Sequence, residues 1–201
     1  RFAPICIAIK REFENAGEPL VITIRINAGF IPKDHWTQIP EIGAGRVIGE
    51  MCHFIDLMQF FTDAIPEKVY AECIQSNNEN LKLDDNIAII VKFNDGSVGN
   101  LTYIANGDKA LPKEHIEIFG AGKTAVINDF NNGNLYSNNK SKSLKSNGKG
   151  HQQEVHAFLT ALNEGKDAPI SFDSICLTTL TTFKIIDSLK TGLPQEIAIN
   201  V

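Results

Sequence analysis

The sequence predicts an α+β domain with an open, mainly antiparallel sheet that carries helices on one face. Apolar residues recur at spacings of three and four near both ends of the chain, whereas from about Lys68 to Ser137 they recur at a spacing of two. Turn-forming clusters such as residues 94–97, Asn-Asp-Gly-Ser, join successive strands as hairpin turns do. We therefore expect residues 1–201 to form a single domain, which a chain of this length can fill with one core.

The N-terminal part predicts a short helix over Pro4–Phe13 and then a strand over Leu20–Asn27. Strict alternation in the second segment places four apolar side chains on one face, and these are Leu20, Ile22, Ile24 and Ile26. A strand with this pattern has one buried face. Residues Ala28–Gly45 follow without any period and predict a long loop.

The rest of the chain predicts a helix, a series of strands and two closing helices. The helix runs from about Arg46 to Phe61, with an apolar stripe toward the core. The strands are predicted over Lys68–Ser76, Asn86–Phe93, Val98–Ala105, Glu114–Phe119, Thr124–Asp129 and Asn134–Ser137. The low-complexity residues Asn138–Gly150 are predicted to be mobile. The closing helices carry the apolar stripe Val155, Phe158, Leu159 and Leu162 and the segment from about Asp173 to Lys190.

The charge and composition of the chain exclude several classes of protein. Its formal net charge of −5, with acids and bases interspersed, does not suit a nucleic-acid-binding protein, which concentrates positive charge on one face. The basic cluster Lys140–Lys149 is diluted with Ser, Asn and Gly and is typical of a solvated loop. No apolar run approaches the roughly 20 residues that span a bilayer. Four scattered cysteines without a Cys-x-x-Cys pair indicate a reduced, cytoplasmic protein.

Two motifs that suggest a ligand site are better explained otherwise, and a third is absent. Gly120–Thr124 resembles the end of a phosphate-binding loop, but the upstream glycine is missing and a strand follows, so a hairpin turn is favoured. His151 and His156 lie about 140° apart on a helix and cannot both reach one metal ion. A Gly-x-Gly-x-x-Gly between a strand and a helix is absent, so we expect this chain alone to bind neither a nicotinamide cofactor nor a metal.

The best candidate for chemistry lies on the helix that begins near residue 46. Arg46, Glu50 and His53 fall within a stripe about 60° wide, and Asp56 lies about 60° further round. General acid–base catalysis uses a histidine beside carboxylates, because imidazole exchanges a proton near neutral pH and a neighbour sets its tautomer. Spacing alone favours the simpler alternative, an ordinary Arg–Glu ion pair with a surface histidine.

The segment Gly43–Asp56, GAGRVIGEMCHFID, resembles the core signature of the glucose–fructose oxidoreductase/inositol dehydrogenase/rhizopine catabolism family. That signature is a glycine-rich stretch followed by Asp-x-x-x-His-x-x-Asp. The resemblance extends over nearly the whole chain. Arg1–Pro4 is similar to the Arg-Phe-x-Pro that opens the family's second domain, Phe119–Lys123 is similar to its hairpin, and Glu154–Leu162 is similar to its late Glu-x-x-x-Phe helix.

This resemblance implies one half of a two-domain oxidoreductase that acts by hydride transfer. An N-terminal Rossmann domain, absent from this chain, would bind NAD or NADP and carry the family's Glu-Lys-Pro lysine. This chain would bind the substrate, which is a sugar, a cyclitol or a nucleotide sugar. His53 is the implied catalytic acid or base. Where most relatives have the first Asp of the signature this chain has Gly49, so Glu50 or Asp56 is expected to orient His53.

The loop before this helix is the candidate for substrate contact. It is long, charged and aromatic, and loops of this kind between regular elements often carry function. Lys33, Asp34, His35 and Trp36 are expected to contact substrate together with Arg46. In this interpretation Trp36 stacks on a sugar face and Lys33 meets a phosphate or carboxylate.

Two other roles stay open at this point. Gly49 in place of the usual Asp is compatible with a catalytically silent sugar-binding module. A sheet with a helix-free face commonly pairs with another subunit, and the resemblance also implies a homo-oligomer formed through the sheet. An oligomerisation role is compatible with catalysis.

Overall fold

The computed structural model describes residues 1–14, 17–79 and 81–198. The strands in this part of the chain are β1 (Val21–Asn27), β2 (Pro66–Cys73), β3 (Asn86–Phe93), β4 (Val98–Ile104), β5 (Glu114–Gly120), β6 (Lys123–Asn128), β7 (Asn132–Ser137), β8 (Lys140–Lys145) and β9 (Gln195–Glu196). They form one sheet in the order β8-β7-β6-β5-β1-β4-β3-β2-β9.

The sheet is mainly antiparallel, as the sequence predicts. The pairing of β1 with β4 is parallel, whereas β1 with β5 and the consecutive hairpin pairs are antiparallel. The predicted alternation in β1 is confirmed, because Ile22, Ile24 and Ile26 are fully buried. The turn between β5 and β6 at Ala121 and Gly122 has positive φ at both residues, so the motif at residues 120–124 is a hairpin turn.

The helices are α1 (Pro4–Phe13), α2 (Pro40–Gly43), α3 (Cys52–Thr62), α4 (His151–Asn163) and α5 (Phe172–Thr191). Three of them, α1, α3 and α5, pack on the buried face of the sheet. Helix α3 lies so close to β4 that a methyl group on Gly99 would overlap the Met58 sulfur. Helix α5 is tied to β2 where the Ala71 amide donates to Ser188 Oγ at 3.0 Å. The predicted class, an open sheet with helices on one face, is confirmed.

The segment after β7 corrects the sequence analysis. Residues 138–150 were expected to form a mobile, solvated loop, but Lys140–Lys145 form strand β8, which pairs along its length with β7. Its sequence, Lys-Ser-Lys-Ser-Leu-Lys, has no apolar alternation because the strand lies at the edge of the sheet and its side chains are mostly exposed. Lysine-rich edge strands are a common protection against pairing with other chains.

The helix predicted over Arg46–Phe61 begins differently from an ordinary α-helix. Its first five residues, Val47–Met51, form a π-helix, and α3 continues from Cys52. The long loop before it also contains short helical turns, at Trp36–Gln38 and in α2. A π-helix has more residues per turn than an α-helix, so the angular positions expected for residues 46–53 are shifted.

Two findings concern the surface. Helix α4 carries its predicted apolar stripe, yet none of its residues is buried. Within the described residues, no helix is both long enough and apolar enough to cross a bilayer.

The central position of β1 gives a test of the fold. Ile24 lies opposite Leu101 and Ile116, and all three side chains are fully buried. We expect Ile24→Ala to lower the free energy of unfolding by about 2–5 kcal/mol, because it leaves a cavity in the core. Thr23→Ala, on the opposite face of the same strand, should cost about 1 kcal/mol or less. Urea denaturation measures both, and equal losses would contradict this packing.

Candidate active site

A cleft of about 630 Å³ opens beside the N-terminal half of α3. It is lined by titratable side chains from four parts of the chain, namely Arg1, Glu50, His53, Asp56, Lys113, Glu114, Lys149, His151 and Glu154. A concave site in which such groups converge from separate elements is the usual setting for catalysis.

Glu50 is the most highly connected carboxylate in this cleft. Its Oε1 accepts a hydrogen bond from Lys113 Nζ at 2.7 Å. Its Oε2 accepts from the Tyr103 hydroxyl and from Arg46 Nη2 at 3.2 Å. Burial alone would raise the pKa of Glu50, but the hydrogen bonds from Lys113 and Tyr103 and the charges of Lys113 and Arg46 outweigh it, so the pKa lies below its usual value.

Tyr103 is the buried donor to Oε2 of this carboxylate. Its side chain is fully buried on β4, and the Arg46 guanidinium lies 5.2 Å from its ring centroid. Burial, followed by the hydrogen bond to Glu50, raises the pKa of Tyr103 far above its usual value. The phenol therefore stays protonated and donates to Glu50 throughout the pH range in which the protein works.

His53 lies at the exposed side of the cleft on α3. The two carboxylates expected to orient it are engaged elsewhere: Glu50 with the donors above, and Asp56 with Arg1, whose Nε donates to Asp56 Oδ2 at 2.8 Å. Among the residues that the structure describes, neither carboxylate is hydrogen-bonded to the His53 ring. The imidazole is thus open to a ligand in the cleft.

The shift introduced by the π-helix explains this arrangement. The ion pair between Arg46 and Glu50 forms as an i,i+4 pair, which is the simpler of the two interpretations of the spacing. His53, which follows the π-helix, does not share that network. Gly49 is exposed, and a Cβ there would meet the Gly43 carbonyl oxygen at an ordinary 3.5 Å, so the backbone has room for a side chain at this position.

Arg46 is placed in the interior and not in the open part of the cleft. Its side chain is 5% exposed, and besides Glu50 it donates from Nη1 to the Gly29 carbonyl oxygen at 2.7 Å. These contacts hold the loop after β1 against the π-helix. Arg46 acts on the cleft through Glu50, since its side chain is buried and its hydrogen bonds go to Glu50 and the Gly29 carbonyl oxygen.

The loop residues expected to contact substrate lie away from His53. Lys33 lines a separate groove of about 750 Å³ and donates to the Glu79 carbonyl oxygen. His35 Nδ1 lies 2.8 Å from Thr37 Oγ1, and Trp36 and Asp34 are exposed. That groove holds the ion pair of Lys82 with Asp84, but no histidine of the described chain lines it, whereas His53 and His151 line the cleft.

Sequence reasoning missed two lysines. Lys113 immediately precedes β5 and pairs with Glu50. Lys149 precedes α4, pairs with the buried Glu114 and lies 5.7 Å from the centroid of the Phe130 ring. Glu114 gave a usable signal, because a carboxylate at a buried position of a strand requires a cation nearby.

The described residues contain no group of three or more His, Cys, Asp or Glu side chains that could hold a metal ion. The glycine-rich turn at Gly43–Gly45 follows the four-residue helix α2 and not a strand. It therefore lacks the strand–turn–helix setting in which a dinucleotide pyrophosphate is bound.

Comparison with known proteins places this chain in a family. A family model described as the GFO/IDH/MocA C-terminal domain matches residues 14–126, more than half of the chain. The chain therefore belongs to the GFO/IDH/MocA family, of which it has the C-terminal domain. A comparison with curated proteins found no match.

Solved structures share the whole fold. An aldose-aldose oxidoreductase from Caulobacter crescentus matches with a TM-score of 0.81 and 11% identity, over 98% of this chain and 61% of that one. An NAD binding oxidoreductase from Klebsiella pneumoniae matches with 0.80 and 16%, over 97% and 64%. A UDP-N-acetylglucosamine 3-dehydrogenase from Acidithiobacillus ferrooxidans matches with 0.74 and 17%, over 94% and 59%. The chain thus spans less than two thirds of each relative.

The Glu50 network gives a test of the cleft's electrostatics. We expect Lys113→Met to raise the pKa of Glu50, because the hydrogen bond and charge of Lys113 favour the carboxylate. A pH titration of the Glu50 carboxyl carbon by NMR measures this shift. Lys92→Met, which removes an exposed partner of Glu67, should leave it unchanged.

The same variant should alter acid stability. The folded pKa of Glu50 lies below its unfolded value, so ionised Glu50 stabilises the fold above the unfolded pKa, and this is lost as the pH falls through the folded pKa. Between about pH 5 and pH 3, the wild type should lose more unfolding free energy than Lys113→Met. Parallel pH profiles for the two proteins would contradict the network.

Proposed function

We propose that this chain is the substrate-binding and catalytic domain of an NAD- or NADP-dependent oxidoreductase that acts on a sugar, a cyclitol or a nucleotide sugar. The observation that carries the proposal is the imidazole of His53, which has no hydrogen-bond partner among the described residues and lies in a cleft that also presents the Lys113 ammonium. One group can exchange a proton and the other can hold a hydroxyl, which are the two tasks that a carbinol substrate requires.

In the proposed reaction, His53 accepts the hydroxyl proton of the carbinol as the hydride leaves its carbon, and it returns the proton in the reverse direction. A nicotinamide ring, bound by another domain, supplies the hydride acceptor. Lys113 donates a hydrogen bond to a substrate oxygen, since its side chain is 41% exposed and one of its three donors already points to Glu50.

In this proposal Glu50 and Asp56 position two cationic side chains of the cleft. Glu50 fixes Lys113, and Asp56 fixes Arg1, which also donates to Ser174 Oγ at 3.3 Å. Their expected role of orienting His53 is thereby replaced by positioning the groups around it. Lys33, Asp34, His35 and Trp36 take no part in the bond-breaking step, because none of them lines the cleft that holds His53.

The names of similar proteins support the substrate class and the cofactor. One is an aldose-aldose oxidoreductase, one a UDP-N-acetylglucosamine 3-dehydrogenase and one an NAD binding oxidoreductase. The cleft also suits a polyhydroxylated ligand, because both carboxylates and cationic side chains line it and can accept from or donate to hydroxyl groups. The cofactor would be held by a Rossmann domain beyond these residues.

We expect His53→Ala, made in the full-length polypeptide encoded by the gene, to lower turnover by about 10²-fold or more, the usual scale for loss of a general acid or base. The assay is substrate-dependent reduction of NAD or NADP over a panel of sugars and cyclitols. His156→Ala is the matched control, since His156 is an exposed helical histidine outside the cleft. Equal turnover in the two variants would exclude His53 as the catalytic group. No turnover by the wild type over the panel would favour a sugar-binding module.

A second role is favoured by the helix-free face of the sheet. The strand register aligns Val98, Val21 and Phe119 in adjacent strands, and Thr124 continues this row to Tyr136. The four apolar members are 36–51% exposed. We propose that this row pairs with the same face of a second copy, because a two-fold interface brings one patch against itself.

Sedimentation velocity tests this pairing on the full-length polypeptide. We expect a dimer or larger species at micromolar concentration, and a shift toward the monomer in Phe119→Asp, which places a charge in the row. Ile42→Asp is the control, because Ile42 is exposed on α2 and outside the sheet. A wild-type monomer, or the same shift in both variants, would contradict pairing through this face.

The compartment proposed for the protein is the cytoplasm. All four cysteines are unpaired, and burial raises the pKa of the Cys6 thiol to about 12. A thiol held neutral in this way behaves as a small apolar side chain and is poorly reactive.

A further inference from the structure

Helix α4 has an apolar face with no cover in the described structure. Its 13 residues include none that is buried, although Val155, Phe158, Leu159 and Leu162 recur at spacings of three and four. Their exposed fractions range from 50% to 66%. An amphipathic helix of this length gains most of its stability by burying such a stripe against another element, because short isolated helices are marginal in water.

Helix α4 and the start of α5 both contribute residues to the rim of the cleft. At the start of α5, Phe172 is 78% exposed and Ile175 is 49% exposed. Ile175 lines the cleft together with Glu154 and His151 of α4. We call Val155, Phe158, Leu159, Leu162 and Phe172 the α4 patch. The α4 patch thus lies on the two helices whose His151, Glu154 and Ile175 line the cleft beside His53.

The N-terminal end of α4 is firmly anchored beside the cleft. Gly150, the residue before the helix, has a φ of +90°, and a methyl group there would overlap the backbone of Phe2 and Ala3. Lys149 adds its ion pair with Glu114. The helix is thus held at its first turn, whereas its apolar side is left to another partner.

We propose that the α4 patch is the surface on which the dinucleotide-binding domain of the full-length polypeptide packs, and that the cofactor therefore enters the cleft from the α4 side. This inference rests on the proposed function. Each of the three similar structures extends beyond the matched region by more than a third of its length, and one is an NAD binding oxidoreductase. A domain seated on α4 would close the cleft next to His53.

Two other occupants fit this surface less well. Anionic membrane surfaces attract amphipathic helices whose polar side is rich in Lys and Arg. Residues 151–163 contain neither, and their charged side chain is Glu154. For a second copy of the chain, the proposed contact is the row on the helix-free face of the sheet, which is a different surface.

Hydrogen–deuterium exchange of the full-length polypeptide encoded by the gene tests the proposal. We expect amides of residues 155–162 to be protected, and to exchange about 10-fold faster or more in the double variant Phe158→Ser and Leu162→Ser, because loss of packing permits local opening. The matched control is Ile90→Ser, which removes an exposed apolar side chain from the sheet and should leave α4 unchanged.

Several outcomes would overturn the inference. Fast exchange of α4 in the wild type means that no domain covers it, and protection that appears only as protein concentration rises means that a second copy does. Unchanged protection in the double variant means that the patch is not the contact. Turnover separates this inference from the proposed function: an inactive protein with a protected α4 refutes the activity alone, and an active protein with an unprotected α4 refutes the docking surface alone.

Discussion

The carboxylate of Glu50 joins the segments on which the cleft depends. It lies in the π-helix and collects donors from β4 through Tyr103, from the residue before β5 through Lys113, and from the start of its own helix through Arg46. Arg46 in turn holds the loop after β1. A partly buried carboxylate is tolerated because three donors offset the loss of hydration. If this anion were absent, Arg46 and Lys113 would lose the counter-charge that they share.

The spacing of apolar residues in the sequence was sufficient to predict most of the helices and strands. Alternation at Ile22, Ile24 and Ile26 predicted the central strand, because one face of the sheet is covered by helices and the other is not. The pattern failed at Lys140–Lys145, since an edge strand exposed on both faces has no apolar alternation to reveal it. It also failed at Val47–Met51, because α- and π-helices differ in hydrogen-bond register and not in composition.

The candidate site was only partly accessible to sequence reasoning. The spacing of Arg46 and Glu50 predicted their ion pair, since that contact is local. The family resemblance, and not the spacing, singled out His53. Lys113 and Tyr103 were missed because they reach Glu50 from residues more than 50 positions away in the chain. Such contacts depend on the order of the strands, which alternation of side chains does not determine.

The position of β1 within the sheet also bears on how the chain folds. This strand precedes the other strands of the sheet in the sequence, yet it lies between β4 and β5, and Val21 is opposite both Val98 and Phe119. Hairpins can form early on either side, as β3 with β4 and β5 with β6, but neither supplies a partner that is near β1 in sequence. The two halves of the sheet are therefore united late, by a strand that must close loops of many residues. Pairings of such long range slow folding. The apolar residues of β1 therefore stay unpaired in the chain until β4 and β5 have formed.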